Sequence, residues 1–210
     1  MDKIPTILVD MDDVLVQFGL SSFHKMNEWL ARNGREQKLQ RDWHSHADWD
    51  QTAFWGVSDE VWWSVLDASE EFWSEMPVLP WAQRLLDYLR EHARRVVVCT
   101  SPPAGRPHVA ALKTTFLEQR LGLSINDISI IHDKHLLSRV GTLLVDDNPR
   151  NVRLFKRPPN TPKAGGEAVQ VPAAWNTANV SWSHVHSAID PVITAYQHRM
   201  QFQPCWDLDI

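Results

Sequence analysis

ILVDMDDVLVQF, residues 7–18, runs from an apolar stretch straight into three aspartates, Asp10, Asp12 and Asp13. Like carboxylates repel, and each loses free energy on leaving water. A cluster of this kind needs a cation, a proton or open water beside it. The run that precedes it, TILVD (6–10), is continuous and rich in β-branched residues, which predicts a buried strand. RVVVCT (95–100), ISIIH (128–132) and TLLVD (142–146) repeat the pattern, and EAVQVP (167–172) extends it to a fifth strand after the loop RPPNTPKAGG. Apolar runs without alternation belong to parallel strands covered on both faces.

Helical segments separate the later strands. WAQRLLDYLREHA (81–93) places Leu85, Leu86 and Leu89 on one face, and HVAALKTTFLEQRLG (108–122) ends on a glycine suited to a C-cap. The alternation predicts an α/β fold, a doubly wound Rossmann-like parallel sheet. Between the first two strands lies a long insertion. LSSFHKMNEWLARNG and SDEVWWSVLDASEEFW read as helices in it, with Ser58 as an N-cap. The expected organisation is a core of residues 1–16 and 77–210 with a small helical cap, residues 17–76, inserted after the first strand. SWSHVHSAIDPVITAYQHRM suggests a C-terminal helix.

Eight of the eleven tryptophans fall between Trp29 and Trp81, a local enrichment that marks the insertion as a unit of its own. At 43% hydrophobic, 210 residues suffice for one sizeable domain with its core. A net charge of −5 without a long basic block argues against binding to a nucleic-acid backbone. No stretch reaches the roughly 20 apolar residues that span a bilayer. The N-terminus lacks the pattern of a signal peptide, and Cys99 sits in an apolar run as a core thiol. A cytoplasmic protein is expected.

In open α/β sheets ligands bind beyond the carboxyl ends of the strands. The first strand ends at Asp10, with Asp12 in the turn; the second ends at Thr100 and Ser101. Lys134 follows the third, and the fourth ends at Asp146 and Asp147. Taken singly, each is an ordinary turn or surface residue. Together they bring carboxylates, hydroxyls and one ammonium to a single edge, an inventory suited to a phosphate monoester and Mg²⁺.

DMDDV, VVVCTSP, DK and LLVDD resemble the four motifs of the haloacid dehalogenase-like phosphohydrolases. More narrowly, the chain is similar to the 5′(3′)-deoxyribonucleotidases: the CTSP form of the second motif, Phe18 eight residues after Asp10, the pair Phe54-Trp55, and MPVLPWA leading back to the core. The resemblance implies a phosphomonoesterase of the 5′-nucleotidase type, acting on nucleoside monophosphates, deoxyribonucleotides in particular. Asp10 would be the nucleophile that forms an aspartyl-phosphate, and Asp12 the acid and then the base. Mg²⁺ would lie on the Asp10 side chain, the Asp12 backbone carbonyl and Asp147, with Asp146 behind or joined through water. Thr100, Ser101 and Lys134 would bind phosphate, and Phe18, Phe54 and Trp55 the substrate. One departure is Asp13, where glycine is frequent; aspartate tolerates left-handed backbone, and its carboxylate is expected to face solvent.

Other residues have plainer readings. Most tryptophans are expected to fill the cap core, and Trp62 and Trp63, being adjacent, are not expected to line one pocket. The pairs His44/His46 and His184/His186 lack metal-site spacing and read as surface or loop histidines. Arg150 reads as either a phosphate contact or a solvent-facing helix residue. Alternatives to the nucleotidase are a phosphatase of nucleic-acid ends, another small-molecule phosphatase, or a non-catalytic nucleotide binder, which would have no use for a nucleophile.

Overall fold

In the computed structural model, which describes residues 2–46, 48, 50–159, 165–175 and 179–202, each expected strand forms. They are β1 (Ile4–Asp10), β2 (Ala93–Thr100), β3 (Ile128–Ile130), β4 (Thr142–Asp146) and β5 (Glu167–Gln170). All neighbouring pairs are parallel, and the order is β3-β2-β1-β4-β5. The chain therefore builds outward from β1 in one direction and then crosses to build in the other. The carboxyl ends of β1 and β4 lie side by side at that reversal, where doubly wound sheets open a crevice. Asp10 ends β1 and Asp146 ends β4.

Alternate strand residues pack into separate layers. Ile7, Val9, Val98, Leu143 and Val145 join one core with residues of α6 (Ala82–His92), α7 (His108–Leu121) and α9 (Trp182–Phe202). Leu8, Val97, Cys99 and Leu144 join another with Phe155 of α8 (Pro149–Lys156). Both faces are covered, so both sets of side chains are apolar. Gly122 ends α7 with φ 63°, a left-handed cap that glycine adopts without Cβ strain. Asn148 opens α8, accepting the Arg150 N–H at 2.9 Å, with Pro149 next in line.

Between β1 and α6 the chain forms α1 (Phe18–Arg32), α2 (Gln40–His46), α3 (Gln51–Trp55), α4 (Asp59–Leu66) and α5 (Glu71–Ser74). It leaves and returns through one neck: the Gln17 N–H donates to the Pro77 carbonyl, and the Leu79 N–H to that of Leu15, both at 2.9 Å. All but α1 are too short to bury much surface individually, so large rings do it. Phe23 packs against Trp43 and Trp55, with centroids 5.3 and 5.4 Å away.

Some details differ from the sequence reading. The helix expected over 58–73 breaks into α4 and α5, with Asp67 capping α4. His44 and His46 lie on α2, half-buried, with their rings against Trp43 and Phe54. Cys99 is buried and makes no disulfide among the described residues, while Cys205 and loop residues 160–164 lie outside them. Among the described residues no helix is long and apolar enough to cross a membrane.

Candidate active site

A cavity of about 460 Å³ sits over the carboxyl ends of β1 and β4 and beneath the helices of the insertion. Asp10, Asp12, Ser101, Lys134 and Asp147 form its floor; Phe18, Trp62, Trp63 and Trp73 come from above. Its construction begins in the turn after β1. The Leu15 and Val16 N–H groups both donate to the Met11 carbonyl, folding the chain back on itself. That turn requires Asp13 at φ 56°, which aspartate tolerates.

Two of the Asp10 contacts fall on Oδ1, which accepts the Met11 N–H at 2.7 Å and meets Lys134 Nζ at 2.7 Å. Oδ2 accepts no hydrogen bond among the described residues. Lys134 also donates to Asp146 Oδ2 at 2.7 Å. Burial opposes its charge, but Asp10 and Asp146 outweigh that and hold its pKa above the usual lysine value. An ammonium has three N–H groups, so one remains for an anion in the cavity. Asp146 is fully buried and held by Lys134, the Asn148 N–H and the Asn151 amide. Burial, reinforced by Asp10 and opposed by Lys134, pushes it up to about 6.

Asp12 has two unlike oxygens. Oδ2 is paired with Lys113, while Oδ1 is buried without a partner among the described residues. Desolvation raises the Asp12 pKa, Lys113 opposes the rise, and Asp10 adds to it. Lys113, only 1% exposed, also donates to Thr100 Oγ1 and to the Ser101 carbonyl, each at 3.1 Å. The sequence reading missed this lysine. Its signal was its register on α7, four residues after Val109 and four before Leu117, at the centre of the buried stripe.

Carboxylate oxygens of Asp10, Asp146 and Asp147 lie within 4.8 Å of one another. Asp147 is raised well above an ordinary carboxylate by burial and by the charges of Asp146, Asp13 and Asp10. A set of hard oxygen donors whose like charges are so poorly compensated fits a divalent cation such as Mg²⁺. Asp10 and Asp147 would hold it, with Asp146 adjoining.

The structure corrects several placements. Thr100 is fully buried and lies behind the cavity wall, where its hydroxyl accepts from Lys113; Ser101 faces the cavity. Phe18 lines the cavity, stacked on Trp73 at 6.1 Å. Phe54 and Trp55 do not line it: Trp55 is the centre of the helical core, between Phe23, Phe54 and Trp62, because α3 turns it inward. Trp62 and Trp63 both line the cavity, although adjacent helical side chains diverge by about 100°. Asp13, expected in solvent, is buried and accepts the Gly19 N–H at 2.8 Å, satisfying an open donor at the start of α1. A Cβ on Gly19 would lie 2.7 Å from Asp13 Oδ2, so this contact requires glycine. Arg150 is exposed and lines the cavity. Trp73 is held from behind by Asp67, which accepts its indole N–H at 3.2 Å and pairs with Arg106 at 3.3 Å on the loop after Ser101.

The sheet order and the site at its reversal define a haloacid dehalogenase-like hydrolase, and solved structures agree on the fold. A subfamily IA, variant 1 hydrolase of that superfamily from Geobacter sulfurreducens is 18% identical, with TM-score 0.52 over 90% of this chain and 96% of that one. A haloacid dehalogenase-like family hydrolase from Xanthomonas campestris is 9% identical, with TM-score 0.51 over 94% and 95%. The family model described as "5' nucleotidase, deoxy (Pyrimidine), cytosolic type C protein" matches residues 3–158, and the chain belongs to this family. It is a phosphoric monoester hydrolase. No curated protein matches it.

Proposed function

We propose that this chain is a Mg²⁺-dependent nucleotidase that hydrolyses nucleoside monophosphates, deoxyribonucleotides in particular, through an aspartyl-phosphate on Asp10, in a cytoplasmic setting. The observation that carries the proposal is the contrast between two carboxylates in one turn. Asp10 keeps Oδ2 free of hydrogen bonds while Lys134 fixes Oδ1. Asp12 keeps a buried, unpartnered oxygen, and its raised pKa favours a proton there. The first suits a nucleophile and the second an acid.

Asp10 Oδ2 attacks phosphorus, and the P–O bond to the leaving nucleoside breaks. Asp12 gives its proton to that oxygen. Asp12, now ionised and paired with Lys113, takes a proton from water, which attacks the phosphorus of the phospho-aspartate and releases phosphate and Asp10. Lys134 and Ser101 hold the phosphate oxygens. Mg²⁺ held by Asp10 and Asp147 would offset the charge between carboxylates and substrate dianion. Phe18 and Trp63, both half-buried at the cavity, would stack on a base, with the buried Trp73 behind Phe18. The family match supports the nucleotide class, and residues 17–76 act as the cap that supplies these rings.

The test is a screen of nucleoside monophosphates, sugar phosphates and phosphorylated oligonucleotides, with and without Mg²⁺. Asp10→Asn is expected to abolish turnover with the fold intact; Asp12→Asn is expected to be slow and to accumulate phospho-enzyme. Near-normal turnover by Asp10→Asn refutes the covalent route.

A further inference from the structure

We propose that Trp175, with Gln170, is a positioning residue for Asp147, and that its indole N–H sets how tightly the site binds Mg²⁺. The inference rests on the reading of Asp10 and Asp147 as Mg²⁺ ligands. Both positioning residues lie beyond residues 3–158, which the family model matches, so the chain after that region completes the site.

Asp147 is buried among like charges, with Asp10 and Asp146 within the same 4.8 Å cluster. A carboxylate there is repelled by its neighbours and turns away unless something holds it. The indole N–H of Trp175 donates to Oδ2 at 2.7 Å, and the Gln170 side-chain amide donates to the Asp147 backbone carbonyl at 3.1 Å. Gln170 ends β5 in register with Asp146. One strand thereby fixes the backbone, and the chain just after it fixes the side chain.

Tryptophan suits the task. Its indole is a donor only, so it cannot compete for the cation, and its two side-chain torsions are locked by burial. With Oδ2 engaged, Oδ1, which accepts no hydrogen bond among the described residues, is left for a metal. Hydrogen bonds of this sort to metal-ligating groups change affinity by about 10- to 100-fold when removed.

The experiment is calorimetric titration with Mg²⁺ alone of the wild type, Trp175→Phe and Trp175→His, with melting temperatures measured without metal. Phenylalanine keeps an apolar ring and loses the donor; histidine loses more volume but keeps an N–H. The expected result is a Kd about 10- to 100-fold higher for Trp175→Phe, partial recovery for Trp175→His, and kcat of Trp175→Phe restored by excess Mg²⁺. A packing role predicts the reverse order, since histidine fills the site less well. Wild-type affinity in Trp175→Phe, or tighter binding by Trp175→Phe than by Trp175→His, overturns the inference while leaving the metal reading intact. A wild type that takes up no Mg²⁺ overturns both.

Discussion

Replacing Lys113 with methionine keeps most of the side-chain volume and removes one charge from beneath the active site. Lys113 pairs with Asp12 and braces Thr100 and the Ser101 carbonyl. Two unit charges about 4 Å apart interact by about 4 kcal/mol at an effective dielectric near 20. The Asp12 side chain is 26% exposed, and solvent trims the interaction to about 1–3 kcal/mol. That energy favours ionised Asp12, so without it the ratio of ionised to protonated Asp12 falls by about 5- to 150-fold. The second half-reaction needs the ionised form and the first needs the protonated one. Lys113→Met is therefore expected to slow dephosphorylation by up to that factor, to leave phospho-enzyme formation far less affected, and to regain turnover as pH rises. The stability loss stays below the roughly 3–5 kcal/mol of a stranded buried charge, because Asp12 answers by taking up a proton. Rapid-quench trapping of phospho-enzyme, with kcat followed from about pH 5 to about pH 9, measures this. A loss of kcat equal at every pH, or a rise in KM alone, refutes the reasoning and leaves Lys113 a packing or phosphate-binding residue.

The raised carboxylates also govern stability. Burial pushes Asp13 to about 7 and Asp146 to about 6, from an ordinary 3.8. Between about pH 4 and about pH 7 the folded protein thus binds more protons than the unfolded chain, and the stability they confer is lost as pH rises through that window. Without metal the melting temperature is expected to fall across it; Mg²⁺ should raise it, more at about pH 8 than at about pH 5, where protons compete. A larger Mg²⁺ gain at the lower pH contradicts this. Phe18→Ala and Trp63→Ala are expected to lower kcat/KM for nucleotides by about 5- to 150-fold and to spare p-nitrophenyl phosphate. Trp55→Ala, by contrast, should cost about 3–5 kcal/mol of stability and so lower the melting temperature and the use of both substrates together; a nucleotide-selective loss there would return Trp55 to the substrate.

Local chemistry made much of this protein legible. The five apolar runs are strands because burial on both faces forbids alternation, and the residues that follow them must then share the sheet's carboxyl edge. That is why Asp10, Ser101, Lys134 and Asp147 were readable as one group before any fold was known. Ser58 and Gly122 were readable too, since a cap depends only on its own turn.

The residues that were misread depend on contacts between distant segments. Asp13 is buried because α1 begins against it, and Trp55 because α1 and α4 close around α3. Trp62 and Trp63 share a cavity although they are neighbours on one helix. Lys113 and Trp175 reach the cluster from 101 residues after Asp12 and 28 after Asp147. A lone lysine in an apolar stripe, or a tryptophan in a loop, has no local reason to signify chemistry; a buried charge acquires meaning only from the group that compensates it. The amino-acid sequence determined which groups stand at the strand ends, because periodicity and capping act within a few residues. The tertiary structure decided which carboxylate is held, which is free and which rings meet the substrate, because burial and hydrogen bonding are properties of neighbours brought together by folding.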